Sequence, residues 1–189
     1  MFRDSIALIV LLGVVFIANG AQANQAYWDV QSGSLMGLAH GSLGYSFNDA
    51  HDVSIGIGYV PDLDNHREMT LYSVRYQYQG DTVFNVIPSV AWQPFRFGFG
   101  VLIAGHDDLF VELPDQYPDG YYTPTAVRLV FNYQSVFKLT DTTEAYFDIS
   151  ILDVGLLTYV REPEFFQDNY EFFGLEGITN WGFGVRHQF

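Results

Sequence analysis

The sequence predicts an all-β protein, an eight-stranded antiparallel transmembrane β-barrel that follows an N-terminal signal peptide. Three observations carry this. Apolar residues recur at every second position through most of the chain, the period of a strand with two unlike faces, and not at 3.6. The stretches that do so run to about ten residues, the length at which a tilted strand crosses a bilayer. The face opposite the apolar one carries Gly, Ser, Gln, Asn and isolated Arg, which is what the tight interior of a small closed barrel accepts. A soluble sheet would carry Lys and Glu there freely.

Residues 1–23 read as a secretory signal. The apolar run from Ile6 to Ala18 follows Arg3 and is too short to span a bilayer as a helix, and Ala21 and Ala23 place small residues where a signal peptidase reads. Residues 24–189 are then one barrel domain. The first strand is placed at "MGLAHGSLGYSF", with Leu43, Tyr45 and Phe47 opposite His40, Ser42, Gly44 and Ser46. "VSIGIGYV" and "TLYSVRYQYQ" follow, the second setting Tyr72, Val74, Tyr76 and Tyr78 against Ser73, Arg75, Gln77 and Gln79. "FNVIPSVAW" and "FRFGFGVLIAG" are read as the fourth and fifth strands, with Arg96 on the inner face of the fifth. "VRLVFNYQSVF" puts Arg128, Asn132 and Gln134 inside, and "EAYFDISI" puts Glu144 and Asp148 inside. The last strand, "NWGFGVRHQF", sets Trp181, Phe183, Val185 and Phe189 against Gly182, Gly184 and Arg186. Tyr59, Trp92, Tyr133 and Trp181 fall near strand ends, where an apolar ring with a polar tip suits a membrane interface.

With both termini periplasmic, this set of strands assigns 61–68, 93–94 and 138–143 to the periplasmic side. Residues 48–52, 79–82, 105–124 and 161–177 are then external, and both long connections fall outside, the asymmetry of bacterial outer-membrane barrels. The long connections are acidic and aromatic: 105–124 has no Lys or Arg, and 161–177 has Arg161 alone.

Composition removes whole classes of function. Aromatics reach 17% while charged residues are only 16%, and the net charge of −14 disfavours nucleic acid and docking on anionic head groups through a basic face. Cys is absent, so neither a disulfide framework nor thiol chemistry is available. No cofactor is expected. Loop carboxylates are oxygen donors of the kind Ca²⁺ or Mg²⁺ takes, but no D-x-D-x-D-G spacing appears and no dedicated metal site is expected.

On its signal segment, its strands of period two and its aromatic-terminated last strand, the mature chain resembles the small bacterial outer-membrane barrels: the OmpA transmembrane domain, OmpX, PagP and PagL. The resemblance implies outer-membrane localisation among lipid and lipopolysaccharide, a monomer, and recognition of Trp181, Phe183, Val185 and Phe189 by the outer-membrane assembly machinery. His187 departs from the pattern, which usually has an apolar or aromatic residue there. It also brings three functional classes into play: a non-enzymatic structural or surface-interaction barrel, a lipid A acyltransferase or deacylase, and a narrow channel.

Catalysis needs a nucleophile and a base within reach of each other. His40 and Ser42 share a strand face, but the PagL-like H-x-S pair lies on a late strand facing lipid, whereas this one faces the lumen of the first. His106, in "GHDD", sits at a rim comparable to that of the PagP-like catalytic His, without the supporting Asp-Ser pair; His51 is read as a second outer-rim His. The reading favoured is non-enzymatic. Arg75, Arg96, Arg128 and Arg186 inside, with Glu144 and Asp148, form an ion-paired polar lumen network that closes the channel route, since a buried charge is costly unless paired and hydrogen-bonded.

Overall fold

A computed structural model of the protein describes residues 25–48, 50–62, 68–106, 109–111, 126–153, 156, 160, 164 and 179–189. Residues 1–23, read as a signal, and most of 105–124 and 161–177 lie outside the described residues. Nine strands form one sheet: β1 (Gln25–Gly33), β2 (Ala39–Asn48), β3 (His51–Val60), β4 (Met69–Gln79), β5 (Phe84–Ile87), β6 (Val90–Gly105), β7 (Val127–Lys138), β8 (Thr143–Leu152) and β9 (Thr179–Gln188). Each long strand pairs antiparallel with its sequence neighbour. The wall is closed by β1 against β9 (Val30↔Val185) and by β4 against β6 (Val74↔Val101). Eight strands therefore make the barrel, and β5 hangs on β6 outside the closing seam.

The number of wall strands agrees with the sequence reading; their identity differs in two places. Gln25–Gly33 is the first strand, with Tyr27, Asp29 and Gln31 buried and Trp28 and Val30 outside. "FNVIPSVAW" is not a wall strand: it is β5, a turn at Pro88-Ser89 and the start of β6. One added strand and one removed leave the count unchanged but invert the first half of the barrel. The connection across 61–68 lies at the end opposite the chain termini, whereas 48–52 and 79–82 lie at the terminal end. Gln93-Pro94 is no turn but sits at a bulge inside β6. The two long connections keep the side assigned to them, and 139–142 stays at the terminal end. Between β8 and β9 the described positions Asp153, Leu156, Val160 and Glu164 are helical.

The outer face is apolar: Leu43 is 63% exposed, Ile57 58%, Phe99 55% and Phe183 58%. The inner face is polar over most of its height, because period two sends every second residue inward. At the end away from the termini this changes. Residues 34–38 fold into the barrel mouth, where Met36 packs on Leu71, Leu102 and Val130, flanked by Leu35, Val60, Met69 and Leu152. The turn requires left-handed backbone at Gly33, Ser34, Leu35 and Gly37. A side chain on Gly33 or Gly37 would also run into the carbonyl oxygens of Trp181 or Tyr59. An apolar cluster thus packs over one end of a polar interior.

Candidate functional site

The barrel interior is where the chain concentrates its charge. Arg186 on β9 is the hub: its Nη1 donates to Asp52 Oδ2 at 2.7 Å, its Nη2 donates to Gln77 Oε1 at 2.5 Å, and its Nε lies 3.5 Å from both Asp29 Oδ2 and Glu144 Oε1. Its guanidinium also stands 4.1 Å over the Tyr27 ring, a cation–π contact in a desolvated site. Arg96 donates Nε to Gln79 Oε1 at 2.6 Å and places Nη1 2.6 Å from Glu144 Oε1. Arg75 donates to Gln31 Oε1 at 2.8 Å, and its other terminal nitrogen lies 3.7 Å from Asp29 Oδ1, an ion pair longer than a hydrogen bond. Asp29 in turn accepts the Tyr146 hydroxyl at 2.7 Å.

These side chains meet because their strands are held in register around a narrow wall and because small residues stand opposite the large ones. Gly100 lies beneath the Arg75 side chain, and Gly184 beneath Tyr146. All three arginines and the four carboxylates Asp29, Asp52, Glu144 and Asp148 are below 10% exposed. Burial of that kind is tolerable only with partners close by.

The structure gathers Arg75, Arg96, Arg186 and Glu144 into this set and treats two expected members differently. Asp148 forms no ion pair with the arginines among the described contacts. It accepts from Asn132 Nδ2 at 3.0 Å, Gln134 Nε2 at 2.7 Å and Ser150 Oγ at 2.8 Å, and from the Ser34 hydroxyl. Four neutral donors satisfy it because it sits above the Arg96–Glu144 level, beside the inturned 34–38 segment. Arg128 lies on the inward parity of β7 but near its upper end, is only half-buried, and donates to the carbonyl of Val127 at 2.9 Å. The apolar cap at Leu102 and Val130 stands between it and the arginine cluster.

Asp29 and Asp52 were missed for different reasons. Asp29 lies on the strand the sequence reading omitted. Asp52 was counted as part of a turn, although its alternation with Ser54 and Gly56 was already visible.

The histidine candidates separate. His40 and Ser42 both face inward, 2% and 7% exposed. The His40 imidazole Nε2 meets Ser73 Oγ at 2.9 Å, reaching past the bare Cα of Gly56; Ser42 is not its partner. This pair is sealed under the apolar cap. His106 is half-buried at the end of β6, its carbonyl accepting the amide of Leu109 at 3.1 Å. His51, read as a second outer-rim His, instead lies at the other end of the barrel from His106, with Nδ1 2.6 Å from the Tyr76 hydroxyl. The two cannot act together.

At the chain end, Trp181, Phe183 and Val185 all point outward, 63%, 58% and 40% exposed. His187 shares that face, its ring 5.7 Å from Trp28 and its Nδ1 2.9 Å from Thr143 Oγ1. Phe189 is 71% exposed, and its amide donates to Ala26 O at 3.0 Å. Among the described residues no cluster of three or more His, Asp and Glu has metal-binding geometry.

Fold and interior together define the class: a closed eight-stranded antiparallel barrel with an apolar exterior and a charged, hydrogen-bonded interior. No family model and no curated protein matches the chain in sequence. Among solved structures it is similar to the N-terminal β-barrel domain of Pseudomonas aeruginosa OprF, with TM-score 0.47 and 13% identity over 87% of this chain and 97% of that one. It is also similar to the Yersinia pestis outer membrane protein Ail, with TM-score 0.40 and 10% identity over 88% of this chain and 99% of that one.

Proposed function

We propose that the protein is an integral outer-membrane barrel, exported by a cleaved signal and held with both termini in the periplasm. In this reading it is a non-enzymatic structural or surface-interaction protein, whose lumen is a plug rather than a pore. The observation that supports this best is the inversion of an ordinary protein: charges are buried inside, while Leu43, Ile57, Phe99 and Phe183 cover the outside. In water such an exterior would aggregate; in lipid it is the stable arrangement. Aromatic side chains at both rims of that exterior fit the two interfaces, with Trp28, Tyr78 and Trp92 at one end and Tyr59, Tyr72 and Trp181 at the other. Loops on the far side would then meet lipopolysaccharide, and their carboxylates would meet the divalent ions that accompany it.

Cell fractionation combined with gel mobility of unboiled and boiled samples tests the placement. The protein is expected in the outer-membrane fraction, with a compact form that shifts on boiling. Recovery in the soluble fraction, or a mobility indifferent to heat, would refute it.

A further inference from the structure

The β5–β6 hairpin is not explained by the barrel. The last rung between β4 and β6 is Gln79↔Arg96, so β6 from Val90 to Phe95 runs on past β4 while staying paired to β7 at Ala91–Gln93, about 20 Å of chain at ~3.3 Å per residue. β5 pairs with that extension (Phe84↔Trp92), and its other edge has no strand beside it among the described residues. The base is fixed, with Gly80 N donating to Phe95 O and Gln93 Nε2 to Gly80 O, both at 2.7 Å.

What the hairpin exposes is mainly apolar and uncharged: Val83 48%, Phe84 50%, Val86 57% and Ile87 54%, with Thr82, Asn85 and Ser89 as neutral polar positions among them. From Thr82 to Phe95 there is no ionisable side chain; the nearest charges beside it are Lys138, which ends β7 opposite Ala91, and Asp141 in the turn that follows. On its outer face an aromatic row runs without a break into the barrel wall: Phe84 to Trp92 at 5.5 Å between ring centres, then Trp92 to Phe137 at 6.5 Å.

Two requirements fix where such a hairpin can rest. The unpaired backbone edge of β5 needs water or head groups, because an open strand edge is not stable in hydrocarbon. Its uncharged apolar side chains need the opposite. Only the boundary between head groups and acyl chains meets both, and the aromatic row joins the hairpin to the lipid-facing wall at that level. We infer that the β5–β6 hairpin is a membrane-interface anchor, lying in the head-group boundary of the periplasmic leaflet and extending the apolar belt on the β6 flank alone. This rests on the membrane reading above.

The chain has no cysteine, so single nitroxide labels can be placed at V86C, I87C, F99C and D81C in the full chain folded into phosphatidylcholine vesicles. Accessibility to oxygen and to a water-soluble nickel chelate is read by power saturation. Position 99 reports the belt and position 81 the aqueous side. The expected result is oxygen-dominated relaxation at 86, 87 and 99, with 86 and 87 shallower than 99, and chelate-dominated relaxation at 81. Chelate-dominated relaxation at 86 and 87 with 99 still in lipid would overturn the anchor and leave the membrane reading standing. Chelate-dominated relaxation at 99 would overturn both. Spin–spin broadening at 86 that grows with protein-to-lipid ratio would show β5 pairing with a second copy, and would also overturn lipid as its occupant.

Discussion

Replacing Arg186 with Met should cost far more stability than replacing Asp148 with Asn, although both residues are buried and charged. Arg186 is the hydrogen-bonded partner of Asp52 and lies 3.5 Å from Asp29 and Glu144. Without it, Glu144 keeps Arg96 at 2.6 Å and Asp29 keeps Arg75 at 3.7 Å, but Asp52 loses its one described ion pair. Breaking a buried pair by deleting one side costs about 3–5 kcal/mol. Asp148 is held by two amides on Oδ2 and two hydroxyls on Oδ1. An Asn can turn its oxygen to the amides and its NH₂ to the hydroxyls, which accept as readily as they donate. It gives up charge assistance but also relieves the cost of a buried charge, so the net loss is about 1–2 kcal/mol. Urea unfolding of the barrel folded in lipid vesicles, followed by tryptophan fluorescence, gives both values. An R186M barrel as stable as the parent, or a D148N barrel less stable than R186M, would refute this division of the interior.

Substituting Gly184 by Val should prevent folding or displace Tyr146, since even a Cβ there would overlap the Tyr146 ring; the unboiled gel should show loss of the compact form. Deleting Phe189 should leave the unfolding midpoint of the finished barrel nearly unchanged, because that side chain is 71% exposed. The same deletion should lower insertion in cells, and quantifying folded barrel in outer-membrane fractions at native expression checks it.

The closed barrel was legible because period two is enforced by physics at every wall strand: a slip of one residue would exchange lipid face for lumen. That is why Arg75, Arg96, Arg186 and Glu144 could be placed inside from alternation alone. Partners were harder, because a strand face says which way a side chain points and not which neighbours stand at its height. Asp148 shows the limit: its parity was right, but an inturned Ser34 stands where an arginine was expected. Residues 33–38 depend on left-handed backbone at four positions, a signal that composition carries only through Gly33 and Gly37. The first strand, "QAYWDVQSG", carries the same alternation, but its outer stripe is only Ala26, Trp28 and Val30, a weaker signal than the longer strands give. The charge-free hairpin reads as a wall strand because it satisfies the same alternation.

The central proposal is a lumen of packed side chains and not of open water. Single-channel recording of the folded chain in a planar bilayer measures this directly. The prediction is no steady conductance from the parent barrel, since the paired Arg186–Asp52–Glu144 cluster stands in its middle and Met36, Leu71, Leu102 and Val130 pack together at its mouth. A large, sustained ohmic conductance from the unmodified chain would contradict it.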